Sequence, residues 1–349
     1  MERNDFIIRP GDPILVTGAG GFIGPAVVAS LLRHGFRNLR AFVRPSSNVT
    51  RLDAVADGNR DGARIDVVRG NLLSREDCAA AAKDAAVIFH LASGNGKSFP
   101  DAFANSVVAT RNLLEASLEQ NCLRRFVNTS SFAVYANTQR TPLDETSPVM
   151  ERPESRGEAY AYAKAKQDDL VAGYGAKFGV PHVTVRPGSV FGPGKNSITG
   201  RVGIDSFGVY LHLGGSNRIP LTYVDNCADA IVLAGLTPGV EGEVFNIVDD
   251  NLPTSRKFLS LYKRHVKSFR SLYVPHSLSF LLCWMWEKYS GWSECQLPPA
   301  FNRSRWRAEW KRTRYSNEKL KSRLGWSPNV SMTDGLDRYF QGCRETQNA

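Results

Sequence analysis

The chain of 349 residues has no apolar run long enough to span a bilayer. Its densest stretch, Leu278–Trp286, is about half the roughly 20 residues a membrane helix needs. It also lacks paired cysteines. Cys78, Cys122, Cys227, Cys283, Cys295 and Cys343 are scattered, with no Cys-x-x-Cys and no Cys/His cluster, which argues against a disulfide scaffold or a zinc site. No metal is expected. The opening Met-Glu-Arg-Asn-Asp has no basic-then-apolar leader pattern, and repeats and low-complexity tracts are missing. No motif that reads DNA or RNA accompanies the positive charge. These absences lead to the expectation of a cytoplasmic chain with reduced thiols and no nucleic-acid partner.

What is present is ordinary globular composition, 42% hydrophobic and 22% charged, enough for one large domain or two smaller ones. The net charge of +10 is local. Residues 1–250 are near neutral, with 26 Lys and Arg against 27 Asp and Glu; residues 251–349 hold 18 against 7. A role for the basic last quarter has to be found.

Short apolar runs alternate with stretches of helical period. Strands are predicted at Ile14–Val16, Leu39–Val43, Ile65–Val68, Val87–Leu91, Arg125–Thr129 and Val183–Arg186. Between them lie helices through Val27 and Leu32, over Cys78–Ala86 and Val107–Glu119, and a long one over Glu158–Phe178. Such alternation builds βαβ units, hence a doubly wound parallel sheet covered on both faces. We expect residues 1–190 to form this domain, with residues 223–248 returning to it as a helix (Asn226–Leu236) and a strand (Val244–Val248). Residues 191–349 are then mainly a smaller, basic, substrate-binding region.

The first strand runs into Thr17-Gly18-Ala19-Gly20-Gly21-Phe22-Ile23-Gly24 and then an apolar helix. Gly18 permits a sharp turn, Gly21 a close approach to a pyrophosphate, and Gly24 close helix–strand packing, while the helix N-terminus offers N–H groups to phosphate. Pro25 fits only because it falls at the helix start. The residue that reads the adenosine ribose lies about 20 positions on, which reaches Arg44. An acid there would suit a free 2′-hydroxyl; arginine favours a 2′-phosphate, hence NADP(H), with a solvent-facing arginine as the alternative.

Glu158–Lys166 contains two Tyr-x-x-x-Lys pairs, Tyr160/Lys164 and Tyr162/Lys166, each on one helix face. An ammonium beside a phenol favours the phenolate and brings it toward general acid–base work. Here the sequence resembles the extended short-chain dehydrogenase/reductases, the NAD-dependent epimerase/dehydratase family. The likeness is carried by the glycine loop, Phe89-His90-Leu91-Ala92, Thr110–Leu114 and Thr129–Tyr135. Asp144-Glu145-Thr146, Arg186-Pro187, Phe191–Gly194, Tyr223–Asn226 and Leu324–Pro328 add to it. The resemblance implies a Rossmann sheet, an NAD(P) cofactor, hydride transfer at a secondary alcohol or ketone, and a homodimer. Its Tyr-x-x-small-Lys-x-x-x-acid pattern selects Tyr160, Ala163, Lys164 and Asp168. It makes Tyr160 the proton donor or acceptor, Lys164 the ribose and electrostatic partner, and Ser131 the residue orienting the substrate oxygen. It places Phe22, Ile23, Asn71, Leu72, Leu91, Ala92 and Pro187 around the cofactor, Asn71 standing where an aspartate usually faces the adenine. His90 reads as a packed strand-end residue.

The resemblance leaves three substrate classes open: nucleotide sugars, hydroxysteroids and dihydroflavonol-like ketones. A cationic region suits a nucleotide-sugar diphosphate, with Arg305 and Arg307 in the arginine-rich segment and Ser130, Ser189 and Arg218 as further substrate contacts. Ser189 replaces a frequent asparagine, and Arg218 is one position off the epimerase arginine, which cuts against a nucleotide sugar. The leading expectation remains an oxidoreductase or epimerase of a nucleotide sugar, with a 3β-hydroxysteroid- or dihydroflavonol-type NADP-dependent dehydrogenase/reductase as the alternative. The Leu278–Trp286 stretch lines an apolar pocket, meets an anionic membrane surface, or simply packs on the substrate region.

Overall fold

In the computed structural model, which describes residues 6–58, 62–94, 98–137, 142–206, 208–293 and 301–348, the alternation becomes one parallel sheet. Six strands follow in succession: β1 (Ile14–Thr17), β2 (Asn38–Val43), β3 (Arg64–Arg69), β4 (Val87–His90), β5 (Arg125–Thr129) and β6 (His182–Pro187). Four short strands then leave that layer: β7 (Ser189–Phe191), β8 (Gly203–Ser206), β9 (Val209–His212) and β10 (Leu221–Tyr223). β11 (Val244–Ile247) rejoins the sheet beside β6, Val244 opposite Thr184. The order is β11-β6-β5-β4-β1-β2-β3. β7 pairs with β10, and β12 (Ser271–Tyr273) joins β9 and β8 in a small separate sheet.

Because successive strand residues point to opposite faces, each strand feeds two cores. Ile14, Val16 and Phe89 enter one, with α1 (Gly24–Arg33). Leu15, Ile88 and Phe126 enter the other. α2 (Thr50–Asp57) follows β2; it is half-polar, anchored through Leu52, and had no strong signal in the sequence. α3 (Arg75–Ala82) covers the second face, and it begins and ends earlier than predicted. Ser74 Oγ accepts from Asp77 N at 3.1 Å and starts it, and the left-handed Asp84 lies in the turn after it.

The predicted helix over 107–119 is the last part of a continuous run. α4 (Phe99–Phe103) passes through a π-turn at Ala104–Val108 into α5 (Ala109–Leu118). α6 (Ala159–Phe178) ends at Gly179, whose φ of 69° makes the left-handed cap. α7 (Val224–Leu236) is buried on almost every side, between α1 and the sheet. A Cβ on Gly235 would lie 2.5 Å from the Phe89 ring, so the helix needs glycine to sit this close.

The C-terminal region holds α8 (Ser255–His265), α9 (His276–Trp292), α10 (Arg303–Glu309), α11 (Glu318–Leu324) and α12 (Met332–Asn348). Trp326, just past α11, donates from Nε1 to Asn226 O at 3.1 Å and ties this region to α7. α12 brings Tyr339 against Phe191 and Phe258. Cys295 lies outside the described residues.

Candidate active site

β1 and β4 are neighbours although two strands intervene in sequence, so the sheet order reverses between them and opens a crevice at their C-terminal ends. The glycine loop leaves β1 there. Gly18 has φ 70°, and a Cβ on it would fall 2.8 Å from Ala92 N at the end of β4. A Cβ on Gly24 would overlap the carbonyl oxygens of Ala19 and Gly18. No side chain caps the N-terminus of α1, and Pro25 occupies its first turn. The hydroxyls of Ser93 and Thr129 line the same cleft, buried and without a protein partner. A bare glycine cradle, an uncapped helix N-terminus and waiting hydroxyls fit a dinucleotide.

The cleft has a volume of about 900 Å³. It is lined by the glycine loop (Gly18, Gly21, Phe22, Ile23 and Gly24), by Arg44 after β2, by Asn71 and Leu72 after β3, and by Leu91 and Ala92 after β4 and Pro187 at the end of β6. Arg44 is exposed at the end of β2. Asn71 Oδ1 accepts from Leu73 N at 3.0 Å, and Asn71 N donates to Asp77 Oδ2 at 2.7 Å, so the amide also shapes its own turn.

Tyr160, Lys164 and Ser131 line the cleft together, with Ser131 hydrogen-bonded to Tyr160. Burial pushes the Tyr160 phenol above its ordinary range, a hydrogen bond with Ser131 pulls it back, and the Asp168 charge raises it. Burial lowers Lys164 to about 8, partly opposed by Asp168. Its Nζ donates to Thr129 O at 2.6 Å and Gln167 Oε1 at 3.0 Å. The second pair faces elsewhere. Tyr162 packs edge-on against Phe99 at 5.4 Å, and Lys166 lies 3.8 Å from Asp169.

Asp168 sits one turn beyond Lys164 and holds the strand ends together. It accepts from Ser130 Oγ (2.8 Å), Asn128 Nδ2 (2.9 Å) and the Arg186 guanidinium (3.1 Å). Ser130 lines the cleft with its hydroxyl so engaged. His90 is fully buried in a relay. Thr110 Oγ donates to Ser106 O at 2.5 Å and therefore accepts from His90 Nε2, which leaves Nδ1 to accept from Thr17 Oγ, both at 2.8 Å. Burial, reinforced by the Lys164 charge, holds the imidazole down at about 3, so it stays neutral.

The substrate side differs from the sequence expectation at two arginines. Ser189 and Arg305 line the cleft; Arg218 and Arg307 do not. Arg218 donates to Leu252 O at 3.3 Å and borders a separate depression beside Asp249 and Arg314, because its backbone bridges to Thr254 at that edge. Arg305 Nε lies 3.1 Å from Glu158 Oε1, so its charge is already met. Leu278–Trp286 does not line the cleft.

The model of the NAD dependent epimerase/dehydratase family matches residues 14–248, which carry both the glycine cradle and the tyrosine–lysine helix. The chain belongs to this family. It is an enzyme. It is 26% identical to the 3beta-hydroxysteroid-dehydrogenase/decarboxylase isoform 1 of Arabidopsis thaliana, over 93% of this chain and 78% of that protein. It is 28% identical to the uncharacterized UDP-glucose epimerase YtcB of Bacillus subtilis, over 71% of this chain and 80% of that one. Its fold matches the UDP-glucuronic acid 4-epimerase of Bacillus cereus, solved with UDP-glucuronic acid and NAD, with a TM-score of 0.71 at 22% identity, covering 96% of this chain and 99% of that one.

Several cleft residues of this epimerase/dehydratase-family enzyme escaped the sequence reading. Arg156 pairs with Glu158 and Glu309, and Arg201 donates to Ala308 O at 2.8 Å and to Tyr315 at 3.3 Å. Trp310 closes that end, its Nε1 donating to Gly200 O at 3.0 Å. Lys195 lies 5.7 Å from the Phe22 ring centre, opposite Arg51 at 5.4 Å. These residues come from loops far apart in sequence, and only the position of Lys195 after the Phe191–Gly194 block offered a signal.

Proposed function

We propose that this family member is an NAD(P)-dependent dehydrogenase or reductase acting at a secondary alcohol or ketone. The observation that carries the reading is the meeting of Tyr160, Ser131 and Lys164 in the cleft that the glycine loop opens. Gly18, Gly21 and Gly24 would hold the pyrophosphate of the dinucleotide, and Asn71 and Leu72 its adenine end. When bound, the nicotinamide supplies or accepts the hydride. The chain's own task is the proton. Tyr160 gives it to, or takes it from, the substrate oxygen, Ser131 orients that oxygen, and the Lys164 ammonium favours the phenolate. Arg44, exposed directly after β2 and among the residues lining the cleft, supports a preference for NADP(H).

The charge pattern favours a weakly charged substrate of the hydroxysteroid type. Arg156 and Arg305 are matched by Glu158 and Glu309, so neither arginine has its charge left over for a diphosphate. A nucleotide sugar is the second reading. It is supported by Arg201, which is buried in the cleft and donates to two neutral oxygens, Ala308 O and the Tyr315 hydroxyl.

The test is to follow nicotinamide absorbance with a hydroxysteroid and with a UDP-sugar, each paired with NAD and NADP, for the parent and Tyr160→Phe. Tyr160→Phe should keep nucleotide affinity and lose on the order of 10²- to 10⁴-fold in turnover. Undiminished turnover would reject the assignment, and activity only on the UDP-sugar would select the second reading.

A further inference from the structure

α9 has two unlike faces. The inner face packs on α10: Ser279 Oγ accepts from Trp306 Nε1 at 2.9 Å, Phe280 meets the Trp306 ring edge-on at 5.1 Å, and Arg303 binds Glu287. The outer face carries Leu278, Leu281, Leu282, Met285, Tyr289 and Trp292, all exposed, from 46% for Leu278 to 79% for Trp292. Their spacing of three and four residues makes one continuous apolar stripe along the helix. Leu272 and Tyr273 of β12, directly before α9, are exposed as well. A stripe of this kind left open to water marks a surface for another phase or partner.

The charge around the stripe says which. Residues 256–292 contain seven lysines and arginines and one acid, Glu287, which Arg303 already pairs. Three of the cations touch or flank β12. Arg256 lies 5.4 Å from the Tyr273 ring centre, Lys263 donates to Ser271 Oγ at 2.6 Å, and Arg270 is exposed beside it. Lys288 projects from α9 itself. We propose that α9 and β12 dock this enzyme on an anionic phospholipid surface, with α9 lying in the plane of the interface. Apolar side chains enter the headgroup boundary while the surrounding cations meet lipid phosphates. No described helix is long and apolar enough to cross the bilayer, which suits a helix that lies on it. A second copy seated on the same face would bring like charges together. The inner face of α9 holds α10, whose Arg305 and Glu309 line the cleft, so docking brings the substrate end of the cleft toward the bilayer. This inference stands independently of the substrate reading.

The experiment is flotation of the full chain with vesicles of phosphatidylcholine alone and of phosphatidylcholine containing phosphatidylserine. The chain should float with the anionic vesicles, remain behind with the neutral ones, and be released by high salt. Leu281→Ser with Met285→Ser should weaken partitioning on the order of tenfold or more. Lys267→Gln and Arg270→Gln should each weaken it roughly fivefold. Circular dichroism and nucleotide affinity should stay unchanged in all of them, because these side chains face solvent. Failure to float with anionic vesicles, equal binding to neutral ones, or variants that float like the parent would overturn the proposal. So would a dimer that Leu281→Ser dissociates in a chain that binds no vesicle.

Discussion

Ser131 and Asp168 act on the Tyr160 phenol in opposite directions. Burial dominates and raises it, the Ser131 hydroxyl lowers it, and Asp168 raises it again. Alcohol oxidation needs the phenolate, so its rate rises with pH up to the phenol's pKa. Removing a group that stabilises the phenolate moves that rise upward. Ser131→Ala should therefore shift the ascending, acid-side limb of the kcat profile to higher pH as well as lower its plateau, which pH-dependent initial rates will show. At the other end of the cofactor, Arg44→Asp exchanges a charged donor for an acceptor. It should reduce the NADP-to-NAD ratio of kcat/KM on the order of 10- to 100-fold, the value of one hydrogen bond to a charged group. An unchanged ratio would mean that Arg44 faces water only. Single residues were legible where spacing in one element determines direction. Tyr160 and Lys164 share a face because they are four apart, and the choice between the two pairs rested on the pattern through Asp168. Arg218 shows the limit: its position is set by a bridge to Thr254, a pairing far along the chain that no local spacing reports.

α1 shows how an element carries a requirement that no contact list of its side chains contains. It starts where it does because the loop backbone folds against Gly24, leaving no room for a Cβ. Gly24→Ala must push the helix N-terminus away from the loop, an overpacking change of typically 1–3 kcal/mol. Nucleotide affinity should fall on the order of tenfold or more while the rest of the fold persists, as titration calorimetry beside circular dichroism will reveal. The strands and the apolar helices were readable because hydrophobic period and β-branched runs report burial directly. α2 and the α4 π-turn were not. α2 buries Leu52 alone among its eight residues, too little to leave a periodic signal. The π-turn interrupts its helix without a proline or glycine to mark it.

For the whole molecule, two buried carboxylates couple stability to pH in opposite senses. Asp249 accepts from Thr222, Tyr223 N and Asn226, yet burial pushes it up to about 6. Its folded value lies above the unfolded one near 4, so its contribution is complete below about pH 4 and lost as pH rises through 6. Between those limits the change is on the order of 2–3 kcal/mol. Urea denaturation should show the cost of Asp249→Asn shrinking by about that much from pH 4 to pH 7. Asp229 resists the upward pull of burial through bonds from His34 and Ser30 and ends below its ordinary value. Its contribution is therefore present above about pH 4 and lost as the medium becomes more acid than that. The basic last quarter, a single number in the sequence, separates in space into Arg305, paired with Glu158 beside the cleft, and the cations surrounding the α9 stripe. No count along the chain distinguishes the two.

The π-turn at Ala104–Val108 places Ser106 so that its Oγ accepts from Gly94 N at 3.1 Å and its carbonyl accepts from Thr110 at 2.5 Å. In helical arithmetic the turn is one surplus residue, and each residue advances an α-helix by about 100°. Deleting a residue there would restore a regular helix but rotate everything before it by that angle relative to α5. Ser106 would swing away from the loop after β4 and Gly94 would lose its acceptor. At this place a one-residue insertion or deletion would act as a dial on the cleft wall: the unit of change is a whole codon, and one click is enough to disengage it.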